Sequence, residues 1–145
     1  MSAISTPMPT HPIELHAGAC GPDASVGPIT RTDIVRYAGA GGDFNPIHHD
    51  EEFARAAGMP GVFSIGMHTA GVLGQYLARW VGLPNVQQFG VRFTGQVWPG
   101  DTLALGGRVD RVEDSGGEHL AHIELTATRQ TGDVVVKGAA VARVA

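Results

Sequence analysis

Apolar residues recur at two different periods along this chain, and the change of period divides it. Between residues 31 and 81 the spacing is helical. Ile34, Val35, Tyr37 and Ala38 share one face of a helix predicted over Arg31–Ala40; Thr30 or Thr32 stands ready to cap it, and Gly39, Gly41 and Gly42 end it. A short helix opens at Asp50-Glu51-Glu52, where acidic residues suit the first turn, with Phe53, Ala56 and Ala57 as its buried side. The longest helix is predicted from Ile65 to Val81, with Ser64 as its N-cap. Val72, Leu73, Tyr76, Leu77 and Trp80 form its stripe, and Gly82 and Pro84 end it. Gly66, Gly71 and Gly74 lie inside, each costing about 1 kcal/mol relative to Ala. They predict close packing on this helix, by a curved sheet or by a ligand near Gly66.

From Val86 onward the period becomes two. Phe89, Val91, Phe93 and Val97 fall on one face, and Gln88, Arg92, Thr94 and Gln96 on the other. A second strand is expected over Thr102–Glu113, a third over Glu118–Arg129 and a fourth over Val134–Val144. Turns at 99–101, 114–117 and 131–133 separate them. Helices and strands are segregated, so the class is α+β, with a four-strand antiparallel meander following one long helix. Dimerisation through the sheet would close its open edge. Residues 1–25, rich in Pro, Gly, Ser and Thr, read as an irregular arm with one short strand around Ile13–Ala17; residues 26–145 form one domain.

Composition narrows the partners. A chain of 145 residues with 43% hydrophobic and 17% charged residues suits one soluble core. The net charge of −4 and the lack of a basic cluster argue against nucleic acid. The single cysteine, Cys20, excludes an internal disulfide. No apolar run reaches membrane-span length, and Met1–Pro12 has no basic segment followed by an apolar one, so a cytoplasmic protein is expected.

The chemistry concentrates in Gly42-Asp43-Phe44-Asn45-Pro46-Ile47-His48-His49-Asp50. Pro46 disfavours the helical region for Asn45, so the stretch is a rigid loop. A bend at Asn-Pro can bring Asp43 and His48 together, and an acid beside an imidazole can run proton transfer near neutral pH. Plainer roles exist for the same residues. Asp43 can cap a turn, Asn-Pro can be a turn former only, and His48-His49-Asp50 can be read as metal ligands, although no paired metal-binding spacing accompanies them. His49 is expected on the solvent side and Asp50 as a helix N-cap. His68 falls one turn into the long helix, either lining a pocket or satisfied in the core; His122 is a strand residue without chemistry.

Tyr37-Ala38, the 42–48 loop, Asp50, Gly66-Met67, Val91-Arg92-Phe93 and Pro99-Gly100-Asp101-Thr102 together resemble the MaoC-like acyl dehydratases and (R)-specific enoyl thioester hydratases. The resemblance covers Val26 to the C-terminus. It implies a hot-dog fold, a long central helix wrapped by a curved antiparallel sheet. It implies Asp43 and His48 as catalytic residues and an acyl thioester substrate carried on coenzyme A or acyl carrier protein. It also implies dimers, of two copies or with a related subunit. One departure is that Ile65 stands where the family often has His before Gly-Met. Hydration of a 2-enoyl thioester requires proton loss from water, proton gain at C2 and stabilisation of the thioester oxygen. Asp43 and His48 can supply the proton transfers, and the backbone N–H of Gly66 at the helix start the oxyanion contact. Asn45 holds the loop or a water, and Ile65 and Met67 flank Gly66 at the substrate. No metal or organic cofactor is required. Two other readings are an accessory subunit of a hetero-oligomeric dehydratase and a hot-dog thioesterase. The intact Asp-His pair weighs against the first. The lack of Asp or Glu between Ser64 and Gln75 weighs against the second.

Overall fold

A computed structural model describes residues 7–145, and the part of the arm before Pro7 lies outside them, as does half of the Met1–Pro12 segment. The first strand, β1, is Ala24–Val26, not Ile13–Ala17. The 13–17 stretch instead lays Ile13 and Leu15 on the core as single contacts. Its neighbours bond to the sheet edge, with Gly18 N donating to Val109 O (2.8 Å) and Gly21 N to Gly107 O (2.9 Å).

Helix α1 spans Arg31–Gly41. Thr30 is its cap: its hydroxyl accepts from Asp33 N, and the Asp33 carboxylate accepts from Thr30 N, a reciprocal capping box. Gly42 closes the helix in the left-handed region (φ 72°), which only Gly adopts without strain. Helix α2, Glu51–Ala56, has Asp50 as N-cap, accepting from Phe53 N. Its buried residue is Ala54, whereas Phe53 is 47% exposed and Ala56 and Ala57 are exposed too. A helix this short touches the body along one line, and the small Ala54 fits there.

Helix α3, Gly66–Val81, is the centre of the molecule. Its N-cap is Ile65, not Ser64, and no side chain caps it. Ser64 N is instead donated to Val97 O at 2.7 Å, which ties the residue to the segment after β2 rather than to the helix. The predicted stripe is correct: Leu73, Tyr76, Leu77 and Trp80 are buried. They pack on Leu103, Leu105, Val109, Ile123, Leu125 and Val136 of the sheet.

The remaining strands are β2 (Val86–Phe93), β3 (Leu103–Ser115), β4 (Glu118–Arg129) and β5 (Val134–Val144). The sheet order is β1-β3-β4-β5-β2, all antiparallel. The expected meander is therefore wrong at one step: β2 pairs with β5 (Val86↔Ala142 to Phe93↔Val136), not with β3. The link from Phe93 to Leu103 is no hairpin turn. Val97, expected on β2, is buried in this link, and Asp101 is anchored at its end, so the chain crosses from one sheet edge towards the other. Only β3, β4 and β5 form consecutive hairpins. A bulge between Val109 and Arg111 adds to the curvature with which the sheet wraps α3. At Gly107 a Cβ would lie 2.6 Å from Trp80 Cζ3, so the bare backbone is what lets helix and strand approach this closely.

Candidate active site

The 42–50 loop is stiffened by its own hydrogen bonds. Asn45 N donates to Asp43 Oδ1 (3.2 Å), and Asn45 Oδ1 accepts from Ile47 N (3.1 Å). Pro46–His48 then makes a single 3-10 turn, and Asp50 N donates to Pro46 O at 2.8 Å. Asp43 uses one carboxylate oxygen to hold the loop. The other, Oδ2, faces His48 Nε2 at 3.7 Å. The His48 side chain is 10% exposed and that of Asp43 41%, so the imidazole is enclosed while the carboxylate opens to solvent.

His48 Nδ1 lies 2.7 Å from Phe63 O. A carbonyl only accepts, so Nδ1 carries a hydrogen and donates it. In the neutral imidazole, Nε2 is then a lone pair aimed at Asp43. Two acceptors face each other across a gap too long for a direct hydrogen bond. A water donating one hydrogen to each would satisfy both. The Phe63 ring meets His48 edge-on (centroids 5.0 Å apart) and Trp98 in the same manner (5.6 Å), so the imidazole is held by main chain and by ring packing.

Phe63 also lines a cleft of about 160 Å³ at the start of α3, with Ser64, Gly66, Thr69, Phe93 and Val136 among its other walls. Asp43 and His48 are not in its lining; Phe63, which packs on His48, is. Gly66 is at the first turn of α3, where amide N–H groups have no helical acceptor. A Cβ there would come 3.1 Å from the Phe93 ring. Of the other residues singled out, Asn45 is bound within the loop, Ile65 is buried and Met67 is exposed. Neither Ile65 nor Met67 lines the cleft. His49 and Asp50 are turned to the surface and to α2. No group of three or more metal-ligating side chains occurs among the described residues.

Ser64 is buried, and its hydroxyl lies 3.3 Å from His68 Nδ1. His68 packs on the Tyr37 ring, with centroids 5.2 Å apart. Burial holds His68 below its ordinary pKa, with Asp33 pulling weakly the other way. His122 is paired with Glu113 at 3.0 Å. It borders a larger groove, about 550 Å³, that runs past Asp110, Arg111 and Glu124 and shares no residue with the Asp43–His48 loop.

Sequence reasoning missed Phe63 and Trp98. The acceptor for His48 is a main-chain oxygen, which every residue type carries, so no letter in the sequence marks it.

A long helix wrapped by a curved antiparallel sheet defines the hot-dog fold, here with an acid and an imidazole on the loop between α1 and α2. Residues 21–131 match the MaoC like domain, and the chain belongs to that family. It is 35% identical over 108 residues to 3-hydroxyacyl-thioester dehydratase Y of Mycobacterium tuberculosis, covering 67% of this chain and 37% of that protein. It is 34% identical over 107 residues to the fatty acid synthase beta subunit TOXC of Cochliobolus carbonum, covering 72% of this chain and 5% of that protein. The chain thus spans only a minor part of these relatives. Among solved structures, the ChsH1-ChsH2 complex from Mycobacterium tuberculosis aligns with TM-score 0.76 at 25% identity, over 89% of this chain and 98% of that one. An (R)-hydratase from A. caviae involved in PHA biosynthesis aligns with TM-score 0.77 at 22% identity, over 90% of this chain and 98% of that one, and so attests the fold. No helix among the described residues is long and apolar enough to cross a membrane.

Proposed function

We propose that this chain is a hydro-lyase interconverting trans-2-enoyl and (3R)-3-hydroxyacyl thioesters, carried on coenzyme A or acyl carrier protein. The observation that carries the reading is the pair of acceptors, His48 Nε2 and Asp43 Oδ2, 3.7 Å apart, with the first fixed as a lone pair by the Phe63 carbonyl. Water held by both hydrogens presents its oxygen to C3 of an enoyl group. One of the two residues takes the proton as the C–O bond forms, and the pair returns a proton to C2. In the reverse direction C2 loses its proton to the pair and the 3-hydroxyl leaves as water. Charge that grows on the thioester oxygen is met by the Gly66 N–H and the positive end of α3. Asn45 keeps the loop bent and transfers no proton. Ile65 is buried and Met67 exposed on either side of Gly66 in the chain. Neither a metal nor an organic cofactor takes part.

A dehydratase family with members named as 3-hydroxyacyl-thioester dehydratases supports this reading over a thioesterase. The complete Asp43–His48 pair favours a catalytic chain over an accessory one. A partner chain, a second copy or a related hot-dog subunit, fits the two-component complex among the structural neighbours.

The test is hydration of crotonyl-CoA followed by loss of enoyl absorbance, with chiral analysis of the product. Asp43→Asn and His48→Ala should each lower kcat by about 10²–10⁴-fold while the protein stays folded. Wild-type rates in both variants would remove the pair from the mechanism, and an (S) product would remove the stereochemical assignment.

A further inference from the structure

Among the buried polar side chains that the proposed reaction does not use, Ser64 lies nearest the start of α3. Ser64 is 4% exposed and forms part of the wall of the cleft that Gly66 also lines. Its backbone is fixed by the bond to Val97 O, and its hydroxyl by His68 Nδ1 at 3.3 Å. His68 sits one helical turn on, at i+4, and is itself held against Tyr37. A serine hydroxyl has one hydrogen and two lone pairs. When His68 Nδ1–H donates to Ser64 Oγ, the serine hydrogen is left to turn into the cleft.

We propose that Ser64 is a second hydrogen-bond donor to the thioester carbonyl, beside the Gly66 N–H, and that His68 is the positioning residue that orients it. This rests on the hydratase reading for its substrate class, an acyl thioester. The geometry favours a carbonyl ligand because the donor stands two residues before the helix start. There the first amides of α3 have no side-chain cap. Two donors converging on one oxygen are what a developing enolate needs. No covalent step involves Ser64.

The experiment compares wild type with Ser64→Ala, His68→Phe and the double variant. Each is checked for fold by circular dichroism and thermal melting. Two ligands are titrated calorimetrically: butyryl-CoA, which has the carbonyl but no double bond to hydrate, and free coenzyme A, which lacks the carbonyl. Ser64→Ala should weaken butyryl-CoA about 3–10-fold and leave coenzyme A unchanged. Its kcat/KM for crotonyl-CoA should fall about 10–100-fold. His68→Phe should show a smaller loss in both. The double variant should be no worse than Ser64→Ala, since His68 acts only through the hydroxyl. Ser64→Thr, which restores the hydroxyl, should recover most of the affinity.

Equal butyryl-CoA affinity in wild type and Ser64→Ala would overturn the proposal. So would an equal loss with free coenzyme A, which marks a purely structural effect, or losses that multiply in the double variant. Failure of the hydratase reading is seen separately. A wild type that binds butyryl-CoA without hydrating crotonyl-CoA removes the reaction, while the Ser64 binding contrast still decides the carbonyl contact.

Discussion

Asp101 is the residue whose environment is most demanding. It is 3% exposed, and its carboxylate accepts from Arg129 Nε (2.7 Å) and Nη2 (3.0 Å), Gln130 Nε2 (2.7 Å) and Trp98 N (2.8 Å). Burial alone would raise its pKa. The bonds from Arg129, Trp98 and Gln130 outweigh that and hold it below the ordinary 3.8. A carboxylate whose folded value is depressed contributes stability above its unfolded value and loses it as pH falls through the folded one. Asp101→Asn should therefore cost about 3 kcal/mol at pH 7, measured by urea unfolding. The variant should also lose less stability than wild type between pH 4 and pH 2. A variant as stable as wild type at pH 7 would show that the network is not a structural anchor. The network also holds the link between β2 and β3 against the β4–β5 turn, the link that carries Trp98 towards Phe63 and hence His48.

At the scale of elements, the start of α3 is where fold and chemistry coincide. Gly66→Ala adds a methyl 3.1 Å from the Phe93 ring, but that ring is 47% exposed and can move aside. The variant should stay within about 1 kcal/mol of wild-type stability. Its enoyl-CoA hydration should fall about tenfold or more, because in the proposed reaction the methyl stands where the thioester carbonyl approaches. Steady-state rates together with a thermal melt separate the two effects, and unchanged rates would move the oxyanion contact elsewhere.

Legibility differed among the elements for physical reasons. Strands β4 and β5 were readable to the residue, since glycine-containing turns at 114–117 and 131–133 bound them and apolar residues alternate along β4. The buried stripe of α3 was equally plain. The partner of β2 was not, because a period of two tells which face a residue takes and nothing about which strand lies alongside. Ser64 looked like a cap because caps are recognised by residue type. Its amide was already committed to Val97, sixty-four facing ninety-seven across a contact no local pattern encodes. The Asp43–Asn45–Pro46–His48 spacing was legible in the candidate site; the Phe63 carbonyl and the Ser64–His68 bond were not.

For the molecule as a whole, the sheet ends at β2, whose outer edge has no neighbouring strand among the described residues. Val86–Phe93 is long for an edge strand, and Phe89 (39%) and Phe93 (47%) are large apolar side chains left open beside it. Light scattering on the purified chain should give twice the chain mass, with pairing across this edge. A stable monomer would require a different subunit to cover it, and mixing with related hot-dog chains would then show a heterodimer. At the other edge the three-residue β1 flanks β3.

The acceptor that sets the tautomer of His48 belongs to the peptide bond of residue 63 and not to its side chain. Substituting position 63 alters the packing around the ring yet cannot delete that oxygen. A different side chain at 63 would therefore change the wall of the neighbouring cleft and leave the His48 acceptor in place. The atom that Nδ1 faces stays the same whatever side chain position 63 carries.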